Sequence, residues 1–174
     1  MTFEEIVDLL ARHFGEEVVV STTTNTIQPS VTIAANNILQ VARFLFEDER
    51  LFFDYLACIT ALDNGAEVNT MEVIYNFRSI PYGHDLMIKV ILPRNQPGDE
   101  LPTIHSLSSI WKTADWHERE AYDLIGINFI GHPDLRRILL PADWEGHPLR
   151  RDYTAQEVYH GIRVNYEDRD RPDS

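Results

Sequence analysis

The run EVNTMEVIYNFRSI over residues 67–80, then Pro81-Tyr82-Gly83-His84, then DLMIKVILP over residues 85–93, constrains the fold more than any other part of the chain. Apolar and polar residues alternate along both runs, and turn formers stand between them. The pattern specifies two long antiparallel strands with one face turned towards a core. A lone hairpin is at best marginal in water, so other elements must cover that face.

The rest of the chain supplies them. Thr2 and Glu5 form a capping box, and Phe3, Ile6, Val7, Leu10 and Phe14 follow at helical spacing until Gly15. EVVVSTTT (17–24) and PSVTIAA (29–35) read as strands. Asn36 or Asn37 can cap a helix with Ile38, Val41, Ala42 and Leu45 on one face. LFFDYLACITALD (51–63) reads as a short helical piece leading into a strand, with Asp63-Asn64-Gly65 as a turn. Residues 106–125 read as one or two helices capped by Ser106 and closed by Gly126. This order predicts an α+β fold, a mostly antiparallel sheet with helices packed on one face. The expected division is a domain over 1–127, an extended arm over 128–154, and a polar tail over 155–174 that needs a partner to order it.

Composition removes several classes of function. The formal net charge of −13 lacks the basic footprint that nucleic acid requires. No apolar run reaches 18 residues, and the acidic start MTFEEIVDLLARHF is not a secretory signal, so membrane association is expected only through partners. One cysteine, Cys58, supports neither a disulfide framework nor an iron–sulfur cluster. Thirteen arginines stand against two lysines, a bias towards the planar donor fork that suits interfaces. The eight glycines form no phosphate loop, and no nucleophile elbow surrounds the serines near His105. His117-Glu118-Arg119-Glu120-Ala121 places alanine where a zincin needs its second histidine. A metal-dependent enzyme would have to assemble His117, His132, His147 and the Glu118/Glu120 pair.

Residues 131–153 pose the functional question. Gly131-His132-Pro133-Asp134-Leu135-Arg136-Arg137 is followed by Gly146-His147-Pro148-Leu149-Arg150-Arg151, nearly the same phrase again. Prolines and glycines rule out a long helix or a central strand, yet Leu, Ile and Trp are too frequent for a solvated linker. Exposing a large apolar side chain costs about 1.5–3 kcal/mol, so this strap must lie in a groove, on its own domain or between subunits. Each Gly-His-Pro is then a stiff corner, with one apolar anchor and two arginine forks after it. Upstream, Trp111, Trp116 and Tyr122 interleave with Glu118, Arg119, Glu120 and Asp123, a mixed surface that suits an interface.

The stretch WHEREAYDLIGINFIGHPDLRRILLPADWEGHPLRRDY (116–153) resembles the signature of the 30-kilodalton subunit family of respiratory complex I. The family pattern is Glu-Arg-Glu, two residues, an acid, two apolar residues, a six-residue gap, His, three residues, Arg, one residue and an aliphatic. Glu118, Arg119, Glu120, Asp123, Leu124, Ile125, His132, Arg136 and Ile138 fill it. Asp143, Trp144, His147, Arg150, Arg151 and Asp152 continue the likeness. Ile125 stands where an aromatic is common, and Thr154 where proline often follows.

The resemblance implies a structural subunit of the peripheral arm of proton-pumping NADH:quinone oxidoreductase. Such a subunit has no catalytic, metal or cofactor residue of its own, whereas the whole complex uses FMN, Fe-S clusters, NADH and quinone. It implies that the signature residues, Arg137 among them, pack on the 49-kilodalton, quinone-site subunit (the D subunit) and on neighbouring Fe-S subunits. It further implies a peripheral place on the cytoplasmic face of the bacterial plasma membrane. An equivalent subunit of a ferredoxin-, F420- or hydrogenase-linked relative is the alternative. On this basis Arg136→Ala and Arg150→Ala are both expected to weaken assembly more than the isolated fold.

Overall fold

A computed structural model describes residues 1–96 and 98–164. Its centre is the hairpin of β4 (Thr70–Ser79) and β5 (His84–Pro93), paired residue for residue from Thr70↔Pro93 to Ser79↔His84. Alternation sends Met71, Val73, Tyr75 and Phe77 of β4, with Leu86, Ile88, Val90 and Leu92 of β5, into the core.

β3 (Tyr55–Asp63) adds antiparallel to β4 and forms one edge. On the other side β2 (Ser30–Ile33) pairs parallel with β5, and β1 (Val19–Thr23) closes the sheet antiparallel to β2. The order is therefore β1-β2-β5-β4-β3, mixed but mostly antiparallel.

Three helices share the core with the buried face of this sheet. α1 (Phe3–Phe14) begins at the expected capping box: Thr2 Oγ1 accepts from Glu5 N–H, and Glu5 accepts from Thr2 N–H at 2.8 Å. It buries Ile6 and Leu10. α2 (Ile38–Glu47) buries Ile38, Val41, Ala42 and Leu45. Asn37 holds its N-cap position without a side-chain capping bond, because one 3-10 turn, Ala35–Asn37, feeds the helix instead. α3 (Thr113–Leu124) packs beside β3. Thr113 Oγ1 donates to Leu56 O, and Trp111 Nε1 to Phe53 O.

Two expectations are corrected. Residues 51–54 form no helix; Phe52 takes a left-handed backbone, φ 37°, and the strand starts at once. The irregular register between Leu56 and Cys58 disturbs the period of two, which is why this run did not read as one long strand. Ser106 starts no assigned helix, since α3 begins at Thr113; its hydroxyl accepts Ser108 N–H at 3.1 Å across the turn before α3 and donates to Glu118.

A second, two-stranded sheet carries the chain towards the signature segment. β6 (Thr103–His105) pairs parallel with β7 (Asn128–Ile130), so ordered strand continues just past residue 127, with Phe129 buried. A small hairpin, β8 (Val158–Tyr159) and β9 (Ile162–Arg163), follows the signature. Residues 165–174, the end of the expected tail, lie outside the described residues. Among the described residues no helix is long and apolar enough to cross a membrane.

Candidate functional site

The signature charges of α3 point inwards. Glu118 and Asp123 are fully buried and Arg119 is buried, whereas Glu120 is exposed. Helical spacing explains the split, since two residue steps rotate Glu120 well away from Glu118.

Asp123 organises the segment that follows. Its Oδ2 accepts three consecutive backbone N–H groups, from Ile138 at 3.0 Å, Leu139 at 2.8 Å and Leu140 at 2.9 Å. Its Oδ1 accepts Arg137 Nη1 at 2.7 Å. Burial pushes the Asp123 carboxyl up, but the Leu140 amide, Arg137 and the other two amides outweigh it and hold the group below its ordinary range. The other fork of Arg137 donates to the carbonyls of Trp144 and Gly146, both at 3.0 Å. One carboxylate and one guanidinium thus order a stretch that has almost no ladder of its own.

The second Gly-His-Pro phrase closes the end of α3. His147 Nδ1 lies 2.9 Å from Asp123 O, so that nitrogen carries the proton. Arg150 donates from Nε to Ile125 O at 2.7 Å and from Nη2 to Gly126 O at 3.2 Å. Leu149 N–H donates to Leu124 O. These bonds satisfy carbonyls at the helix end, where no intrahelical donor remains. Gly126, φ 79°, lets both side chains approach: an added Cβ would lie 2.6 Å from Arg150 Nη2 and from His147 Nε2. Burial lowers the His147 imidazole, with the cations of Arg150 and Arg137 adding to the effect against the Asp123 carbonyl.

The first phrase docks on the other end of the helix. His132 Nε2 donates to Asp115 O at 3.1 Å, while its Nδ1 accepts Asp134 N–H. Arg119 reaches the carbonyls of Arg136 and Arg137 and lies over the Trp116 ring at 5.4 Å. Arg136 itself is 71% exposed and, among the described residues, pairs with the exposed Asp134.

A third anchor comes from residues that sequence reasoning passed over. Asp63 and Arg94 form a buried ion pair at 2.8 Å. Asp63 also accepts Gly65 N–H and Arg151 N–H, and Arg94 reaches on to Asp152. The only local signal was the turn Asp63-Asn64-Gly65; the partners lie 31 and 88 residues away. Downstream, Asp143 accepts from Tyr159 Oη and meets His160 Nε2, and Trp144 Nε1 donates to Tyr153 Oη.

Glu118 sits apart from these cations. Its Oε2 takes Ser106 Oγ at 2.5 Å and its Oε1 takes Leu107 N–H at 2.7 Å. Burial pushes its carboxyl up to about 7, the Ser106 and Leu107 bonds pulling back and Asp115 adding a little.

The histidines do not converge. His132 and His147 each spend their donor nitrogen on a helix carbonyl, and His117 lies with Glu120 and Leu149 beside β3. No group of three metal-ligating side chains comes together among the described residues. The outer surface of the segment keeps Trp116, Ile130, Arg136, Leu139 and Leu149 exposed.

Comparison with known proteins agrees with this architecture. Residues 31–159 match the family model described as the 30 Kd subunit of respiratory-chain NADH dehydrogenase. The C subunit of NADH-quinone oxidoreductase from Chlorobium phaeobacteroides is 40% identical over 160 residues, 91% of this chain and 93% of that protein. Its counterpart from Chloroherpeton thalassium is 50% identical over 144 residues, 82% of this chain. The match spans only 57% of that longer relative. The C/D subunit of the same enzyme from Acinetobacter baylyi is 41% identical over 157 residues, 87% of this chain and 25% of that one. Among solved structures, a chain of the membrane-bound sulfane sulfur reductase, an archaeal respiratory membrane complex, superposes with a TM-score of 0.69. The match covers 87% of this chain and 85% of that one at 21% identity, a likeness of fold.

Proposed function

The chain belongs to the 30-kilodalton subunit family of respiratory-chain NADH dehydrogenase, and from that premise we propose that it is a structural subunit of a proton-pumping NADH:quinone oxidoreductase. In this role it does no chemistry. It binds no FMN, Fe-S cluster, NADH or quinone, and it holds the subunits that do in register. Electron tunnelling falls steeply with distance, so fixed spacing serves the reaction as surely as a catalytic group would.

One observation carries the reading. The ionic groups of the signature are largely consumed within the chain, by helix carbonyls and by the amides of residues 138–140, while several of its apolar side chains remain outside. Such a segment is built to present a surface rather than to bind a ligand. The partner we assign to that surface is the D subunit, since the C/D relative carries both letters on one chain. The chain's place in the cell would be peripheral, on the cytoplasmic face of the membrane.

The test is a pull-down of the tagged chain from detergent-solubilised native membranes, with NADH:quinone activity assayed. Flavin, cluster-bearing and membrane subunits recovered with inhibitor-sensitive activity support the assignment. The same partners without an NADH-oxidising module would transfer it to a ferredoxin- or hydrogenase-linked relative. A lone protein would overturn it.

A further inference from the structure

The second signature phrase meets the sheet at the Asp63 end of β3, and the first lies on the N-terminal half of α3; the β4–β5 turn and the approach to β3 carry a different surface. The β4–β5 turn exposes Ile80 (63%), Pro81 and Tyr82 (55%) there, and the approach to β3 exposes Phe52 (40%) and Tyr55 (43%). Large side chains offer about 200 Å² each, so these fractions amount to roughly 400 Å². That much largely apolar surface is gathered at one end of the sheet.

The patch is firm. Tyr82 Oη donates to Glu49 O at 2.6 Å, Ile80 N–H donates to Asp54 Oδ1 at 2.8 Å, and His84 Nε2 lies 3.0 Å from Leu51 O. Two loops from distant parts of the chain are thereby fastened into one surface. Phe52 adds a second, separate observation. Its φ of 37° is a conformation that disfavours a bulky side chain and that glycine or asparagine adopts at lower cost. Leu51 and Phe53 on either side are fully buried. Its ring meets Phe46 at 6.0 Å between centroids, yet 40% of the residue stays exposed in this disfavoured conformation.

The rim is acidic. Glu47, Asp48, Glu49 and Asp54 surround the approach to β3, and the cations beside them are already paired, Arg50 to Asp48 and Arg78, opposite Tyr55, to Asp85. A second copy of the chain packed symmetrically here would set acids against acids. We propose that this end of the sheet is a second docking surface, distinct from the signature segment, for a neighbouring polypeptide whose apolar patch is rimmed by lysine or arginine. It rests on the function proposed above only for the assembly in which that neighbour is sought.

The experiment places a photoreactive residue at Pro81 of the tagged full chain, expressed in its native host and irradiated before membranes are solubilised. A cross-link to a different polypeptide is expected. Ile80→Asp should reduce it tenfold or more without lowering the melting temperature of the purified chain. A Glu47→Lys/Glu49→Lys pair should reduce it several-fold. Phe52→Asn should weaken it while the chain melts at the same temperature or higher. No adduct, an adduct joining two copies of this chain, or an adduct indifferent to Ile80→Asp and the charge reversal would overturn the proposal. Failure of the tagged wild type to recover any NADH dehydrogenase subunit would count against the proposed function instead, since the adduct at position 81 is scored independently of which complex is recovered.

Discussion

Two buried carboxylates on α3 behave oppositely, because one meets a cation and the other meets only neutral donors. Asp123 is held low by amides and Arg137, so the stability it contributes is present above the ordinary carboxylate range and is lost as pH falls through its folded value. Asp123→Ala strands Arg137 and three amides, and a loss of about 3–5 kcal/mol is expected in urea unfolding at pH 7. Glu118, raised to about 7, favours its protonated form in the folded chain. Its contribution is full below the ordinary carboxylate value of 4.5 and disappears as pH rises through about 7, a span worth about 3 kcal/mol. Glu118→Gln should therefore lose the weakening that wild type shows between about pH 5 and pH 7, leaving only the opposite drift, a gain with rising pH, that the lowered His147 contributes. A wild-type profile that matches the variant's would show that the carboxylate is ionised in place. Neither role was legible in the sequence: Glu-Arg-Glu was expected to face partners, and burial of its first carboxylate depends on Ser106 and Leu107 across the core.

Among the elements, legibility followed the range of the interactions that make them. α1 was readable because its cap and stripe are local, and the β4–β5 hairpin because alternation and turn lie within Thr70–Pro93. β6 and β7 were not, since strands as short as Thr103–His105 and Asn128–Ile130, far apart in the chain, leave no period to read. The composition of the strap predicted that something must order it, but its attachments left no signal in the sequence. Arg150 was expected to face a partner, and instead its guanidinium closes the end of α3. Arg150→Ala should consequently destabilise the isolated chain itself, by about 1–3 kcal/mol in urea unfolding, whatever it also does to assembly. Gly126→Ala should act in the same direction, because it combines a positive φ with a Cβ overlapping two side chains. The buried Asp63–Arg94 pair makes a sharper claim about the strap. Arg94→Met should free residues 151–153, so that trypsin cuts after Arg151 as fast as after the exposed Arg163. Wild type should be cut there far more slowly, and equal rates in both proteins would refute the attachment.

For the whole molecule, assembly and stability should separate at the exposed signature residues. Arg136→Ala removes only a surface pair, so its unfolding should shift by no more than about 1 kcal/mol while recovery of partner subunits falls. Undiminished recovery would leave Arg136 outside the interface. The sheet order carries a different consequence, for the chain as it is made. β2 finds its parallel neighbour only when β5 exists, more than fifty residues later. A ribosome adding about 5–20 residues each second holds the first half of the chain without its central strand for several seconds. The β4–β5 ribbon must form before the sheet can be joined, and it is the natural nucleus. Substitutions along it should slow folding, whereas those in the strap, which attaches last, should chiefly hasten unfolding.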